Sequence, residues 1–562
     1  MSIAPNRPRG RSWLVGAGLF LAVHGEALLR QPRFYLTGLF WLIVGKRVRG
    51  RNQLSALIGS SRLAYLLWVA RHEAKNWPAP GPTAEAVSIV VVIDARFAPE
   101  QLAQTLQSLA HAGQMDSVIV IGGPSARLLV GDAPHRLPLR WVGELVDLFQ
   151  DLQRNAGAWL FMLDAGDCLA PGALMLVAAA AQDSSTISYG DDDLIDRRGR
   201  RYDPHFKPDW NTELFRYHDY LSGAAAIRLD SAVLGSLPPL GNPDWIGALT
   251  RTAVDLAANP PRHIHHILVH RRARPHPAAP PMQGPEIETP PTVSVIIPTR
   301  NQLELLKICL QGLQQSNYPV LDCIIIDNGS DDPATIAFLD KLDAPFYRVL
   351  RQPGPFNYSA LNNAAVAEAR GEFLCFLNND VSMIGQDWLM YLISQARGER
   401  VGAVGARLLY PDGTIQHAGV VLGVGGGAGH AHRGQDPNEP GYFLRASLPQ
   451  FVSAVTGACM VVRREKFLAV GGFDQDCFPV AFNDVDLCLK LNARGWQTFY
   501  EPRAELIHHE SKSRGTDHSG EKKARFAGEL ARLKERWHTD RQVDPYHHPA
   551  LSRFSEQFVI GL

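Results

Sequence analysis

Unbroken apolar runs closed by turn residues set the rhythm of this chain. VSVIIPT (293–299), CIIID (323–327) and EFLCFL (372–377) carry the pattern of strands covered on both faces, and the stretches between them place apolar residues at helical spacing. The alternation predicts a strand at 293–298, a helix at about 303–315, a turn at 317–319, a strand at 321–326, a helix at 333–343, a strand at 346–350, a helix at 359–370 and a strand at 373–377. The same opening occurs earlier. VSIVVVI (87–93) lies 206 residues before VSVIIPT, and DSVIVIGG (116–123) lies 206 before DCIIIDNG (322–329). Two strand matches at one offset, with helix-patterned sequence between them, predict a duplicated βαβ unit.

Proline marks the borders. NWPAPGPT (76–83) and PHPAAPPMQGPEIETPP (275–291), the second with seven prolines, exclude helix and central strand. The expected organisation is a basic helical segment at 1–80, an α/β domain at 84–272, a Pro-rich linker at 273–291 and a second α/β domain at 292–515. A C-terminal amphipathic helix and tail at 516–562 follow, with Phe526, Leu530, Leu533 and Trp537 at helical spacing.

Composition narrows the class. With 46% hydrophobic and 20% charged residues the chain reads as globular, and Lys plus Arg (56) balance Asp plus Glu (56), so no nucleic-acid partner is expected. The charge is uneven, however: residues 1–80 hold twelve Lys or Arg against Glu26 and Glu73. Apolar stretches at 13–23 and 34–45 fall short of the roughly 20 residues needed to cross a bilayer, and KRVRGR follows the second. A helix lying on an anionic membrane surface is the expectation. Seven scattered cysteines without a CxxC pair point to a reducing compartment and to neither disulfides nor zinc.

In such sheets ligands bind beyond the carboxyl ends of the strands. Here those ends carry PTRN, Asp327-Asn328-Gly329-Ser330 and Asn378-Asn379-Asp380. Together with VTGACMVVRREKFLAVGGFD, FNDVDLCLKL and HHESKSRG, these motifs resemble a family 2 glycosyltransferase with the GT-A fold, of the bacterial O-antigen or rhamnosyltransferase-like type with a preceding GT-A-like domain. The resemblance implies an α/β chain with two GT-A, Rossmann-like domains on mostly parallel central sheets behind the N-terminal helical segment. It further implies an inverting transfer of a hexosyl or rhamnosyl group from a nucleotide-diphosphate sugar to a saccharide or lipid-linked saccharide. The product is then a surface polysaccharide, made by a peripheral protein on the inner, cytoplasmic face of the cytoplasmic membrane.

The resemblance also assigns residues. Asp327 accepts from the imide N–H of uracil or thymine, with Asn328, Thr299 and Asn379 beside it on the donor. Asp380 holds Mg²⁺ or Mn²⁺, with His508 as a second ligand, because a neighbour at 509 would face away if the strand continues. Asn378 stands where that metal motif usually begins with Asp. Thr456 and Gly457 line the junction of donor and acceptor, and Lys512 and Arg514 contact the diphosphate. Asp484 is the catalytic base, with Asn483 replacing the usual Glu and Asp486 as a structural neighbour. Asn378 and Asn483 also motivate a rival class, a non-catalytic glycan-binding or scaffold protein of a polysaccharide assembly complex.

The first copy differs. Ile121 falls opposite Asp327, and aligning Leu163 with Leu377 places Gly166 opposite Asp380, while Asp244 stands opposite Asp484. A domain without its own turnover is expected. Two further signals are discounted. LGVGGGAGHAH has a dinucleotide-like glycine spacing without the following helix and suits a glycine-rich lid. HIHHILVH (263–270) splits its histidines between strand faces.

Overall fold

A computed structural model of the chain describes residues 9–73, 87–130, 137–239, 242–274, 277, 287–319, 321–342, 346–509 and 520–562. Four helices lead: α1 (Arg9–Arg30), α2 (Pro32–Ile43), α3 (Arg47–Gly59) and α4 (Ala64–Trp68). Pro32 opens α2, where its missing N–H costs nothing. Among the described residues of α1–α3, Ala27, Tyr35 and Leu54 form a small buried cluster. Of 24 large hydrophobic side chains exposed among the described residues, eleven lie between Val15 and Val48, so this face departs from the rest of the surface. Leu29 and Ile43 are 85% and 83% exposed. Lys46 and Arg49 sit over the Trp41 ring at 4.7 and 4.3 Å. No described helix is long and apolar enough to cross a membrane.

Two mixed sheets follow. The first contains β1 (Ile89–Asp94), β2 (Ser117–Ile121), β3 (Leu139–Val142), β4 (Trp159–Asp164), β5 (Cys168–Leu169), β6 (Ile187–Ile195), β7 (Arg201–His205), β8 (Ala225–Arg228) and β9 (Arg262–Arg271). The second contains β10 (Val293–Thr299), β11 (Leu321–Asp327), β12 (Tyr347–Arg351), β13 (Phe373–Leu377), β14 (Val381–Met383), β15 (Val401–Leu409), β16 (Ile415–His417), β19 (Gln450–Val452), β20 (Cys459–Arg463) and β21 (Gln497–His508). A hairpin of β17 (Val420–Leu422) and β18 (Ala428–His430) stands apart from it.

The strand orders, β3-β2-β1-β4-β8-β6-β9-β5 and β12-β11-β10-β13-β20-β15-β21-β14, match position for position, and β7 on β6 corresponds to β16 on β15. The duplication therefore extends through the whole sheet. Each sheet begins with four parallel strands, as the unbroken apolar runs require, and continues with antiparallel pairs such as β4 with β8 and β13 with β20. Period-two alternation splits β10 between two cores: Val293, Val295 and Ile297 face one, Ile296 the other.

The alignment of Leu163 with Leu377 is corrected by register. Cys168 pairs His270 in the first sheet and Val381 pairs His508 in the second, so Asp167, not Gly166, stands opposite Asp380. Counted from Leu163 and from Leu377, the path to the paired residue, Cys168 or Val381, is one residue longer in the first copy. The two sheets are also joined. Leu448 is fully buried in the core of the first, and Asn211 Nδ2–H donates to Phe451 O (2.8 Å) while Phe451 N–H donates to Asn211 Oδ1 (3.1 Å).

Candidate active site

The carboxyl edge of the second sheet borders a cavity of about 650 Å³. Thr299 enters from the end of β10, Asn378, Asn379 and Asp380 from the turn between β13 and β14, and His508 from the end of β21. Thr456 and Gly457 come from the loop before β20, and Asp484 from the first turn of helix Asn483–Ala493. Seven of the eleven site residues named from sequence, Asp484 among them, thus line one cavity.

Antiparallel pairing of Val381 with His508 brings Asp380 beside the imidazole: the Oδ1 of buried Asp380 and the Nε2 of half-buried His508 are 3.1 Å apart. His508 Nδ1 lies 2.8 Å from Gln416 Oε1, an acceptor, so the ring proton belongs on Nδ1 and the Nε2 lone pair faces the carboxylate. Two electron-rich atoms directed at one point form a donor set that fits a divalent cation. Asn378 Nδ2, 3.3 Å from His508 Nε2, adds an amide at the place where a third acid is absent. His509 turns away, its Nε2 3.2 Å from Ser382 Oγ, as strand alternation requires.

Asp484 is half-buried. Gly457 N–H donates to its Oδ2 (2.9 Å) and Val485 N–H to its Oδ1 (2.8 Å), which fixes the carboxylate at the cavity wall. Gly457 is closely packed, since a Cβ there would lie 3.1 Å from Tyr358 Oη. Asn483 is turned inward, donating to Val480 O (3.0 Å). Asp486 is fully buried and accepts from Arg536 Nη1 and Trp537 Nε1, both at 2.9 Å, so it anchors helix Gly520–Trp537 rather than facing the cavity.

Asp327 and Asn328 lie one strand further out and do not line the cavity. Thr299, which pairs Asp327, accepts from Asn379 Nδ2 (3.0 Å) and links the two places. The Asp327 carboxylate accepts from Arg351 Nη1 (2.6 Å) and Ser330 N–H (2.9 Å), and Asn328 Nδ2 donates to Gln352 O (2.9 Å). Lys512 and Arg514 fall outside the described residues. Sequence reasoning missed Gln416, His417 and His430, and also Arg351, which reaches Asp327 from the neighbouring strand. The glycines of 423–427 form the turn of the β17–β18 hairpin, with Gly425 N–H donating to Arg553 O (3.0 Å).

A second histidine cluster, His263, His265 and His548, lies on the first sheet. His548 Nδ1 accepts from Ala550 N–H (3.0 Å), so its Nε2 bears the proton facing Asp191 Oδ2 (2.9 Å). His263 lies between Asp191 and Asp209, each at 3.0 Å, and its pKa is raised because these carboxylates outweigh the opposing effect of burial. Each imidazole thus meets a carboxylate, His263 and His548 that of Asp191, His263 and His265 that of Asp209.

Residues 294–471 match the model of glycosyl transferase family 2. An uncharacterised protein y4gI of Sinorhizobium fredii is 39% identical over 72% of this chain and 50% of its own length. The O-antigen biosynthesis protein RfbC of Myxococcus xanthus is 35% identical over 64% of this chain and 31% of its own. The chain thus spans half or less of these two relatives. An N-acetylglucosaminyl-diphospho-decaprenol L-rhamnosyltransferase of Mycobacterium tuberculosis is 29% identical over 37% of this chain and 73% of its own length. The module built on the second sheet, with the cavity at its carboxyl edge, belongs to glycosyl transferase family 2.

Proposed function

We propose that this chain is an inverting glycosyltransferase that moves a sugar, a 6-deoxyhexose such as rhamnose in first place, from a nucleotide diphosphate to a saccharide of a surface polysaccharide. The observation that carries the reading is the placing of Asp484 and the Asp380–His508 pair on one cavity. Asp484 takes the acceptor hydroxyl proton as that oxygen attacks the anomeric carbon from the side opposite the leaving diphosphate, so the centre inverts. A bound Mg²⁺ or Mn²⁺ at Asp380 and His508 would neutralise charge on the departing diphosphate. Thr299, Asn379, Thr456 and Gly457 position the donor, while Asp327 and Asn328 receive the base once Arg351 yields; Lys512 and Arg514 are assigned to the diphosphate.

Transfer takes place on the inner face of the cytoplasmic membrane, with α1–α3 as the contact and a lipid-linked saccharide as acceptor. The exposed apolar side chains enter the headgroup region and Lys46, Arg47, Arg49 and Arg51 meet anionic lipid. Sedimentation with phosphatidylglycerol vesicles should fall as salt rises, and replacing those four cations by Glu should abolish it; salt-independent sedimentation would remove the electrostatic contact. The first sheet serves as a non-catalytic companion.

Thermal shift with UDP-, dTDP- and GDP-sugars, followed by hydrolysis in Mn²⁺, tests the chemistry, since a bound donor raises the melting temperature by mass action. The rival, a glycan-binding scaffold, draws on Asn378, Asn483 and the Arg351–Asp327 ion pair. It predicts glycan binding with no hydrolysis of any donor.

A further inference from the structure

The helix that carries Asp484 starts without the usual support. Helix Asn483–Ala493 follows Phe482, which stands at its N-cap with φ +60° and makes no side-chain cap hydrogen bond. A Ser, Thr, Asp or Asn at that place would satisfy the first turn with its own oxygen. An aromatic residue in the left-handed region is rare and persists only where its surroundings over-determine it. Asp484 lies two residues on, so the direction of its carboxylate follows from this turn.

The surroundings come from helix Gly520–Trp537. Glu529, fully buried, accepts from Ala481 N–H, the amide next to the left-handed residue. Phe526 lies three residues before Glu529 and so on the same face of the helix. Its ring meets that of Phe482 with centroids 5.3 Å apart. Further along, Arg536 and Trp537 hold Asp486. These contacts fall at 481, 482 and 486 and bracket Asp484 from both sides. A buried carboxylate is costly unless it is paired and hydrogen-bonded. Arg525 Nε, 3.3 Å from Glu529 Oε1, supplies the opposite charge, and the Ala481 amide engages the other oxygen. Glu529 itself does not border the cavity.

We propose that Glu529 is a positioning residue for the base: by holding Ala481 N–H it keeps Phe482 left-handed and so aims Asp484 at the acceptor hydroxyl. This rests on the glycosyltransferase reading of Asp484. Because Glu529 acts through orientation, its loss slows the step in which the base takes part and leaves the hold on the donor intact.

Two measurements on the full chain test the proposal. The first is transfer to octyl glycosides from the nucleotide sugar selected by thermal shift. Glu529→Met fills the space but cannot accept, so kcat should fall about tenfold or more, the loss of one hydrogen bond, while donor Kd by calorimetry stays within about twofold. Glu529→Gln keeps an accepting oxygen and should stay within about threefold of wild type. Glycine takes the left-handed conformation without strain, so in a Phe482→Gly background Glu529→Met should cost less than about threefold further. The second measurement is amide exchange. Gly457 N–H, which donates to Asp484, should exchange about tenfold faster in Glu529→Met and at the wild-type rate in Glu529→Gln. Equal losses in the two backgrounds, a fall in donor affinity in place of kcat, or unchanged Gly457 exchange overturns the proposal. Should Glu529→Met not fold, Phe526→Ala replaces it in the exchange measurement with the same expected and overturning results, since that ring is 43% exposed. If the wild-type chain turns over no nucleotide sugar, the proposed function falls, and Gly457 exchange alone decides whether Glu529 positions Asp484.

Discussion

The two sheets share nine strands in one order and differ in what their edges do with charge. At the second edge Asp380 and His508 lie side by side on a cavity, 3.1 Å apart, and Asp484 opens onto it. At the first, Asp94 accepts from Trp245 Nε1 (2.9 Å) and Arg96 Nη2 (2.6 Å), which fills the space beyond β1. His270, the counterpart of His508, is committed to Asp193 (2.6 Å). Asp244 caps helix Trp245–Leu256 from one residue outside it, accepting from Gly247 N–H (3.1 Å), whereas Asp484 sits inside the first turn of helix Asn483–Ala493. The comparison teaches that the fold is written in buried apolar positions, which both copies keep. Chemistry needs polar atoms left facing a cavity, and the first copy has turned its own inward.

The strongest way to break this contrast is at Asp484. Asp484→Asn keeps the shape but cannot accept a proton, so turnover should fall by about 10² to 10⁴-fold with donor affinity little changed. Asp244→Ala should leave turnover intact and lower stability by about 1 kcal/mol, the loss of a cap. If Asp244→Ala abolishes turnover in folded protein, the first copy is catalytic and the contrast fails. Asp486→Asn should lower the melting temperature more than it lowers turnover. Next in size, Asp380→Ala should weaken metal-dependent donor binding, with added Mn²⁺ restoring part of the activity, whereas Asp167→Ala should leave donor binding unchanged.

The smallest effect sharpens the picture. Burial lifts the Asp167 carboxyl to about 7 against the opposing pull of Arg271. The folded chain keeps that proton while the unfolded chain loses it near 3.8, so this group's contribution to stability declines as pH rises between those values. Asp167→Asn should flatten that part of the pH–melting profile. A profile identical to wild type would mean that the carboxyl is not desolvated as described.

Sequence patterning carried the parallel half of each sheet well, because runs such as IIID and FLCFL leave no solvent face for a polar residue. It did not resolve the antiparallel half, where short strands such as β16–β18 are set by long-range pairing. Most of the site was legible because turn-forming Asn and Asp follow those runs directly. Arg351 on Asp327 was not, since cross-strand neighbours have no fixed spacing in sequence. The hold of Glu529 on Ala481 joins positions 48 residues apart, and the one-residue difference between 163–168 and 377–381 is visible only through its strand partners.

Ile560 N–H donates to Gly59 O (3.4 Å), and Val559 lies against the same glycine. This contact closes a loop around nearly the whole described chain, among the most expensive closures in entropy that the fold can make. Contacts of such sequence separation form late and slow the approach to the native state. The leading segment is also seated on the first sheet, where Tyr65 Oη donates to Asp193 (2.5 Å) and Arg201 pairs with Glu73 (2.6 Å). A chain shortened before Val559 should keep its two cores and yet show faster hydrogen exchange in α3, a loosening that begins at one end of the sequence and is felt at the other.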